Sequence, residues 1–237
     1  MAMLTELLAD LATSTFLETA RVTTTDRLSE HFVTVELQCP AFRSATWTPG
    51  AKLQLRPRRG TLGLRTYTPF DWDDERGTTR VLAFTHGAGP ASDWFTDVRP
   101  GDDCELFGPR RSIDLRTEHE RVLFVGDESS LGLACALRSI DATATHVVES
   151  VDPHELSAVL DGLDLSSAVV VPRADDHAPL RDAARRAAHD VGAPFDLVLT
   201  GDAAAVHTVR RDTRGWTPGP DRIKGKAYWA AGRTGLD

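Results

Sequence analysis

The 237-residue chain is poor in lysine, with only Lys52, Lys224 and Lys226 beside 24 arginines. Cysteine is scarce: Cys39, Cys104 and Cys135 are odd in number and far apart, which argues against a disulfide framework or a CxxC metal site. A reducing compartment fits that usage. Long apolar runs are missing as well. The longest, Leu131 to Leu137, falls far short of the roughly 20 residues a membrane-spanning helix needs. Glu6 and Asp10 interrupt the first apolar segment and no basic region precedes it, so the expectation is a cytoplasmic protein without a secretory signal or membrane insertion. Basic charge is in deficit: 27 Lys and Arg against 35 Asp and Glu give a net charge of −8, which argues against a broad nucleic-acid-binding surface. None of the eight histidines stands at a metal-ligand spacing and no Gly-x-Ser-x-Gly elbow occurs, so no metal site and no serine-hydrolase chemistry are expected. What remains is a globular composition, 41% apolar and 26% charged, of a length that suits one large domain or two modest ones.

Leu4, Leu7, Leu8 and Leu11 sit at helical spacing and predict a short amphipathic helix over 2–12. From Phe16 to about Leu115 the period is two. Val33, Val35 and Leu37 alternate with Phe32, Thr34 and Glu36, and Leu53 and Leu55 alternate with Lys52, Gln54 and Arg56. Turn signals at Thr48-Pro49-Gly50, Arg59-Gly60, Arg76-Gly77, Pro100-Gly101 and Gly108-Pro109 separate the short strands, and the pattern predicts an antiparallel barrel or sandwich. After Arg121 the strands become continuous apolar runs: Val122 to Val125, His146 to Val148, Ala168 to Val171 and Leu197 to Leu199. Such runs mark strands buried on both faces, and the helical stretches Ser129 to Ile140, Pro179 to His189 and Ala203 to Arg211 lie between them. This predicts an open parallel α/β sheet, with the boundary in the polar stretch Asp114 to Glu120.

Two local motifs carry chemistry in the first half. In Arg65-Thr66-Tyr67-Thr68 an arginine can pair with a phosphate, and the tyrosine two residues later points the same way along a strand. It can pack on an aromatic ring while Thr68 reaches the ring edge; the plain alternative is a barrel strand with an exposed arginine. About twenty residues on, His86-Gly87-Ala88-Gly89-Pro90-Ala91-Ser92-Asp93-Trp94 leads from a strand into a helix start. Glycines there let a pyrophosphate approach the backbone, and the first-turn amides point at it with the favourable end of the helix dipole. The plain alternative is a glycine-rich turn with Trp94 in the core.

With these motifs the chain resembles the siderophore-interacting proteins, FAD-dependent ferric-siderophore reductases of the ferredoxin-reductase superfamily. The similarity runs from about Arg21 to Gly232. It rests on the two motifs, on Pro100-Gly101-Asp102 with Gly108-Pro109, on Val125-Gly126-Asp127-Glu128-Ser129, and on Ala227-Tyr228-Trp229. The resemblance implies an N-terminal antiparallel FAD-binding β-barrel over 14–116 and an open parallel α/β NAD(P)-binding-type domain over 117–237. It implies FAD held by Arg65, Thr66, Tyr67, Thr68, His86, Gly87, Gly89, Pro90, Ala91 and Ser92, with Trp94 supporting the turn. NAD(P)H is the implied donor, a small-molecule ferric chelate the implied partner, and a monomer the expected state.

In the second half, Gly126-Asp127 with Ser129 and, further on, Gly201-Asp202 are strand-to-helix turns at the carboxyl ends of parallel strands, the usual ligand position in such sheets. Two carboxylates are awkward beside a pyrophosphate, so backbone amides and Ser129 are expected to make the contact, unless Ser129 or Ser130 is simply a helix cap. Arg173 either meets a ribose or phosphate or is a solvated loop residue. Arg222, Lys224 and Lys226 gather cationic charge suited to an anionic ferric chelate; equally, they suit an edge strand protected against aggregation. The chain departs from the family at Ser130 and Gly132, at Gly201-Asp202, at Ala230 and in a trimmed loop after Pro69. Those departures leave open a flavoprotein with another small-molecule acceptor, or a protein that binds a chelate without turnover. No catalytic acid or base is expected, because positioning and electrostatics suffice for such chemistry.

Overall fold

A computed structural model describes residues 17–56, 64–87, 89–116 and 119–233 of the chain; the helix expected over 2–12 lies outside the described residues. The chain divides into two compact units, Met1–Asp114 and Leu115–Asp237.

The first unit is a seven-stranded antiparallel sheet. Its strands are β1 (Glu18–Arg27), β2 (Phe32–Gln38), β3 (Lys52–Arg56), β4 (Arg65–Tyr67), β5 (Phe70–Asp73), β6 (Thr78–Phe84) and β7 (Asp103–Arg110), in the order β4-β3-β7-β1-β2-β6-β5. The sheet is barrel-like, but among the described residues its end strands β4 and β5 are not paired, so it is not closed. A helix, α1 (Pro90–Asp97), follows β6. Alternation holds where one face is covered: Val33, Val35, Leu37, Leu53 and Leu55 are at most 2% exposed and form one cluster with Val81, Leu106 and Phe95. Each such side chain contributes about 1.5–3 kcal/mol by leaving water. The alternation fails at Arg56, which is only 5% exposed. Its guanidinium is held 2.5 Å from the Glu105 carboxylate on β7, so a charge faces inward with its partner.

The second unit is a five-stranded parallel sheet in the order β10-β9-β8-β11-β12. It comprises β8 (Val122–Asp127), β9 (Thr145–Ser150), β10 (Val169–Pro172), β11 (Asp196–Asp202) and β12 (Arg222–Trp229). Helices α2 (Leu131–Arg138), α3 (Pro153–Gly162), α4 (Ala178–Val191) and α5 (Ala203–Asp212) connect them. The apolar runs of β8, β9 and β11 are buried on both faces, with Leu123, Val147, Leu197 and Leu199 packed against Leu180, Ala184, Ala188 and Val209 of α4 and α5. The run Ala168 to Val171 is not, because β10 lies at the sheet edge and leaves Val169 exposed. Helix α3 is additional to the three expected helices. Asp152 caps it, accepting from the amides of His154 and Glu155 at 3.0 Å, and Pro153 supplies the fixed φ of a first turn.

Candidate functional site

In the first unit the two motifs converge. Arg65 and Tyr67 on β4 line one cavity of about 260 Å³ with His86, Gly89, Pro90, Ala91 and Ser92. Ala83, Phe84, Thr85 and Phe95 complete its wall. Thr85 and the aromatic pair Phe84 and Phe95 were not singled out in the sequence; they follow from β6 leading straight into the glycine turn. Thr66, Thr68, Gly87 and Trp94 do not line this cavity. Trp94 is instead a core residue, 6% exposed and edge-on to Phe95 at 4.8 Å.

Each lining group has a local cause. Tyr67 packs on Phe95 at 5.1 Å between ring centroids, and burial pushes its hydroxyl above the usual phenol value. His86 packs on Phe84 at 5.0 Å. Arg65 is exposed and its guanidinium touches only the neighbouring Leu64 carbonyl, at 3.2 Å among the described residues, which leaves most of its five donors available. Gly89 caps α1 without a side chain, so the first-turn amides of Ala91 and Ser92 have no side-chain acceptor. A Cβ placed on Gly87 or Gly89 would meet nothing within 4 Å, so the turn presents open backbone. An arginine, an aromatic platform and an open helix N-terminus suit a flavin with a pyrophosphate.

The second unit gathers a buried polar network at the carboxyl ends of its strands. Asp127, at the end of β8, is 1% exposed. Its Oδ1 accepts from the amide and hydroxyl of Ser129 at 3.0 and 2.5 Å and from the Ser130 hydroxyl at 3.3 Å. Its Oδ2 accepts from the Asp202 amide at 2.9 Å and the Trp229 indole N–H at 2.8 Å. Burial nevertheless holds this carboxyl above the ordinary carboxylate range. Gly201 makes the approach possible: its φ is +110°, and a Cβ there would lie 2.5 Å from the Asp127 carboxyl carbon. Asp127, not Ser129 or Ser130, is therefore the cap of this turn, and Ser129 donates to it.

Arg173 is not the solvated loop residue that was one of its two expected roles: its side chain is only 20% exposed and faces a cluster of carboxylates. It pairs with Glu128, lies 3.4 Å from Glu149 Oε1 and stacks 5.3 Å over the Trp229 ring. Glu128 also accepts the Val151 amide at 2.7 Å. His177, left-handed at φ +52° and 6% exposed, bridges two further carboxylates: Nδ1 faces Glu149 Oε2 at 3.0 Å and Nε2 faces Asp202 Oδ2 at 3.3 Å. A ring with acceptors at both nitrogens donates at both only as imidazolium; as neutral imidazole it requires a carboxyl proton on one side. The carboxylates that looked awkward for a pyrophosphate thus turn inward and brace the strand ends.

Arg222, Lys224 and Lys226 alternate along β12, opposite Asp196, Val198 and Thr200 of β11, so they share a face of the sheet. Lys224 Nζ donates to the Arg116 carbonyl at 2.6 Å. Among the described residues no group of three or more His, Cys, Asp or Glu side chains could hold a metal ion, and no helix is long and apolar enough to cross a membrane.

Residues 50–113, which carry the cavity, match the siderophore-interacting FAD-binding domain family. A curated relative, the NADPH-dependent ferric-chelate reductase of Escherichia coli (strain K12), is 28% identical over 178 residues. That match covers 70% of this chain and 66% of the relative. Among solved structures, a siderophore utilization protein from T. fusca is 22% identical with a TM-score of 0.72, covering 93% of this chain and 95% of that one. The siderophore-interacting protein SipS from Aeromonas hydrophila is 21% identical with a TM-score of 0.69, covering 92% and 93%. These likenesses extend the two-unit fold over nearly the whole chain, beyond the segment that the siderophore-interacting FAD-binding family covers.

Proposed function

We propose that the protein is an FAD-dependent reductase that passes electrons from NAD(P)H to a ferric siderophore and releases Fe(II), acting as a cytoplasmic monomer. One observation carries this reading. Two motifs about twenty residues apart meet in a single cavity, inside the segment that matches the FAD-binding family. Residues 14–116 would form the flavin-binding domain and 117–237 the NAD(P)H-binding domain.

The roles follow from the geometry. Arg65, with its donors available, would pair with the flavin phosphates, and the Ala91 and Ser92 amides at the start of α1 would receive the pyrophosphate. Tyr67, fixed against Phe95, would offer its ring face to the isoalloxazine while His86 closes the other wall. Thr66, Thr68 and Gly87 would contribute backbone and hydroxyl contacts from the same two segments, and Trp94 would hold α1 against the core. When bound, FAD supplies hydride acceptance from a nicotinamide and single-electron donation to the ferric substrate. Gly126, Asp127, Ser129, Gly201 and Asp202 would shape the nicotinamide side, the buried carboxylates holding the turns while exposed backbone meets the nucleotide. Arg222, Lys224 and Lys226 would attract an anionic chelate, which the net charge of −8 repels at long range. Steady-state formation of Fe(II) from a ferric siderophore, followed with a ferrous-specific chromogenic chelator, tests the reading. Formation should require both FAD and NAD(P)H; no Fe(II) from the flavin-replete protein with either nucleotide would overturn it.

A further inference from the structure

At the opposite pole of the first unit, β1, β2, β7 and the turn between β5 and β6 border a second cavity of about 390 Å³, open to solvent and lined by exposed side chains around the buried Cys39. It is reached at the Thr78 end of β6, whereas the flavin cavity lies at the Phe84 end. The seven residues of β6 separate the two by about 20 Å. Three guanidiniums line it, those of Arg21, Arg43 and Arg76, with Thr19 and Gln38 as neutral polar groups and Asp103 as the one carboxylate. Asp103 is engaged by Arg21, Oδ1 at 3.1 Å from Nε and Oδ2 at 3.5 Å from Nη2.

The other two arginines have almost nothing to bind. Arg43 Nη2 reaches the Arg76 carbonyl at 3.5 Å, and the Arg76 guanidinium has no hydrogen-bond or ion-pair partner among the described residues. Asp74 and Glu75 precede Arg76 in its turn but do not line the cavity. The backbone forces the two cations together. Cys39 donates to the Gly77 carbonyl at 2.9 Å, tying the turn that carries Arg43 to the turn that carries Arg76. Gly77, at φ +69°, lets the Arg43 stem pack in, because a Cβ there would lie 3.0 Å from Arg43 Cγ and from the Cys39 carbonyl oxygen. Two exposed like charges that spend few donors within the protein thus stand side by side at one surface depression, in a protein that is acidic as a whole. Guanidiniums so arranged match an oxyanion that accepts from both forks.

We propose that this cavity is a binding site for a multivalent oxyanion, a phosphate or polycarboxylate carrying at least two negative charges, separate from the flavin site and outside the electron path. Arg43 and Arg76 are its principal ligands and Arg21, steered by Asp103, its third. Titration calorimetry of the FAD-loaded full chain with inorganic pyrophosphate and, separately, metal-free citrate tests it. One equivalent of at least one probe should bind, and affinity should fall as salt rises. Pyrophosphate alone would assign a phosphate ligand and citrate alone a polycarboxylate. The Arg43→Ala/Arg76→Ala variant should bind about tenfold more weakly or worse, with unchanged FAD absorbance and unchanged flavin reduction by its donor. Arg76→Ala alone keeps the test decisive, since that guanidinium holds no contact whose loss could unfold the turn. No uptake of either probe at millimolar concentration, or equal uptake by wild type and the double variant, would overturn the proposal.

Discussion

Trp229 donates its indole N–H to Asp127 Oδ2 at 2.8 Å across 102 residues of sequence, joining the last strand of the parallel sheet to the end of its first. A buried carboxylate that loses a donor keeps its desolvation cost, and hydrogen bonds to charged groups are worth about 1.5–3 kcal/mol. Trp229→Phe preserves an aromatic face for Arg173 and removes only the donor. Urea unfolding should show the variant less stable by about 1–3 kcal/mol. A difference below about 0.5 kcal/mol would mean that the remaining donors to Asp127 compensate.

His146, on β9, packs against Phe124 at 5.4 Å and has no hydrogen-bond partner at Nε2; burial pushes its pKa down to about 4. Above pH 6.5 the imidazole is neutral whether folded or unfolded and contributes nothing to the pH dependence. Between pH 6.5 and about 4 the unfolded chain takes up a proton that the folded one refuses, so stability is lost as pH falls, by about 3 kcal/mol over the window. Asp127 and Glu149, whose values burial raises, act in the opposite sense: their folded forms hold protons longer, and stability falls as pH climbs above the ordinary carboxylate range. The comparison of wild type with His146→Leu isolates the histidine. Denaturant midpoints should diverge below pH 6.5 in favour of the variant; parallel profiles would contradict a neutral buried His146.

Arg65→Ala should release FAD far more readily than Ser129→Ala. The first removes a charge-assisted partner of the phosphates, worth roughly 1.5–3 kcal/mol. The second alters a turn in the other unit, where the Ser129 amide and hydroxyl serve Asp127. Equilibrium dialysis of both variants against FAD measures this. Equal flavin affinity in the two would contradict the assignment of the phosphates to Arg65.

What the sequence revealed was local in the chain. The parallel strands were visible because Val122 to Val125 and Leu197 to Leu199 are buried on both faces, so their apolar runs are unbroken. The cavity of the first unit was visible because most of its lining residues lie in two short segments. Helix α3 could also have been read, since Asp152-Pro153 with Glu155 is a helix start. The bracing network was not legible, because its pairs are distant: Arg173 meets Glu128 across 45 residues and His177 meets Glu149 across 28. Nothing near Arg173 in sequence announces that its charge is spent inside the fold. The inward pair Arg56 and Glu105 and the cluster of Arg43 with Arg76 were hidden for the same reason, since strand register brings the first together and the Cys39–Gly77 bond between two turns the second.

Stepwise anaerobic reduction tests the central claim most directly. The purified, FAD-loaded protein should lose its flavin absorbance near 450 nm on addition of NADH or NADPH, a wavelength set by about the same ring chemistry in any flavoprotein. Subsequent addition of a ferric siderophore, still without oxygen, should restore that absorbance with Fe(II) appearing at two equivalents per flavin. Absorbance that neither nucleotide bleaches, or that bleaches and does not return with the ferric chelate, would contradict the account.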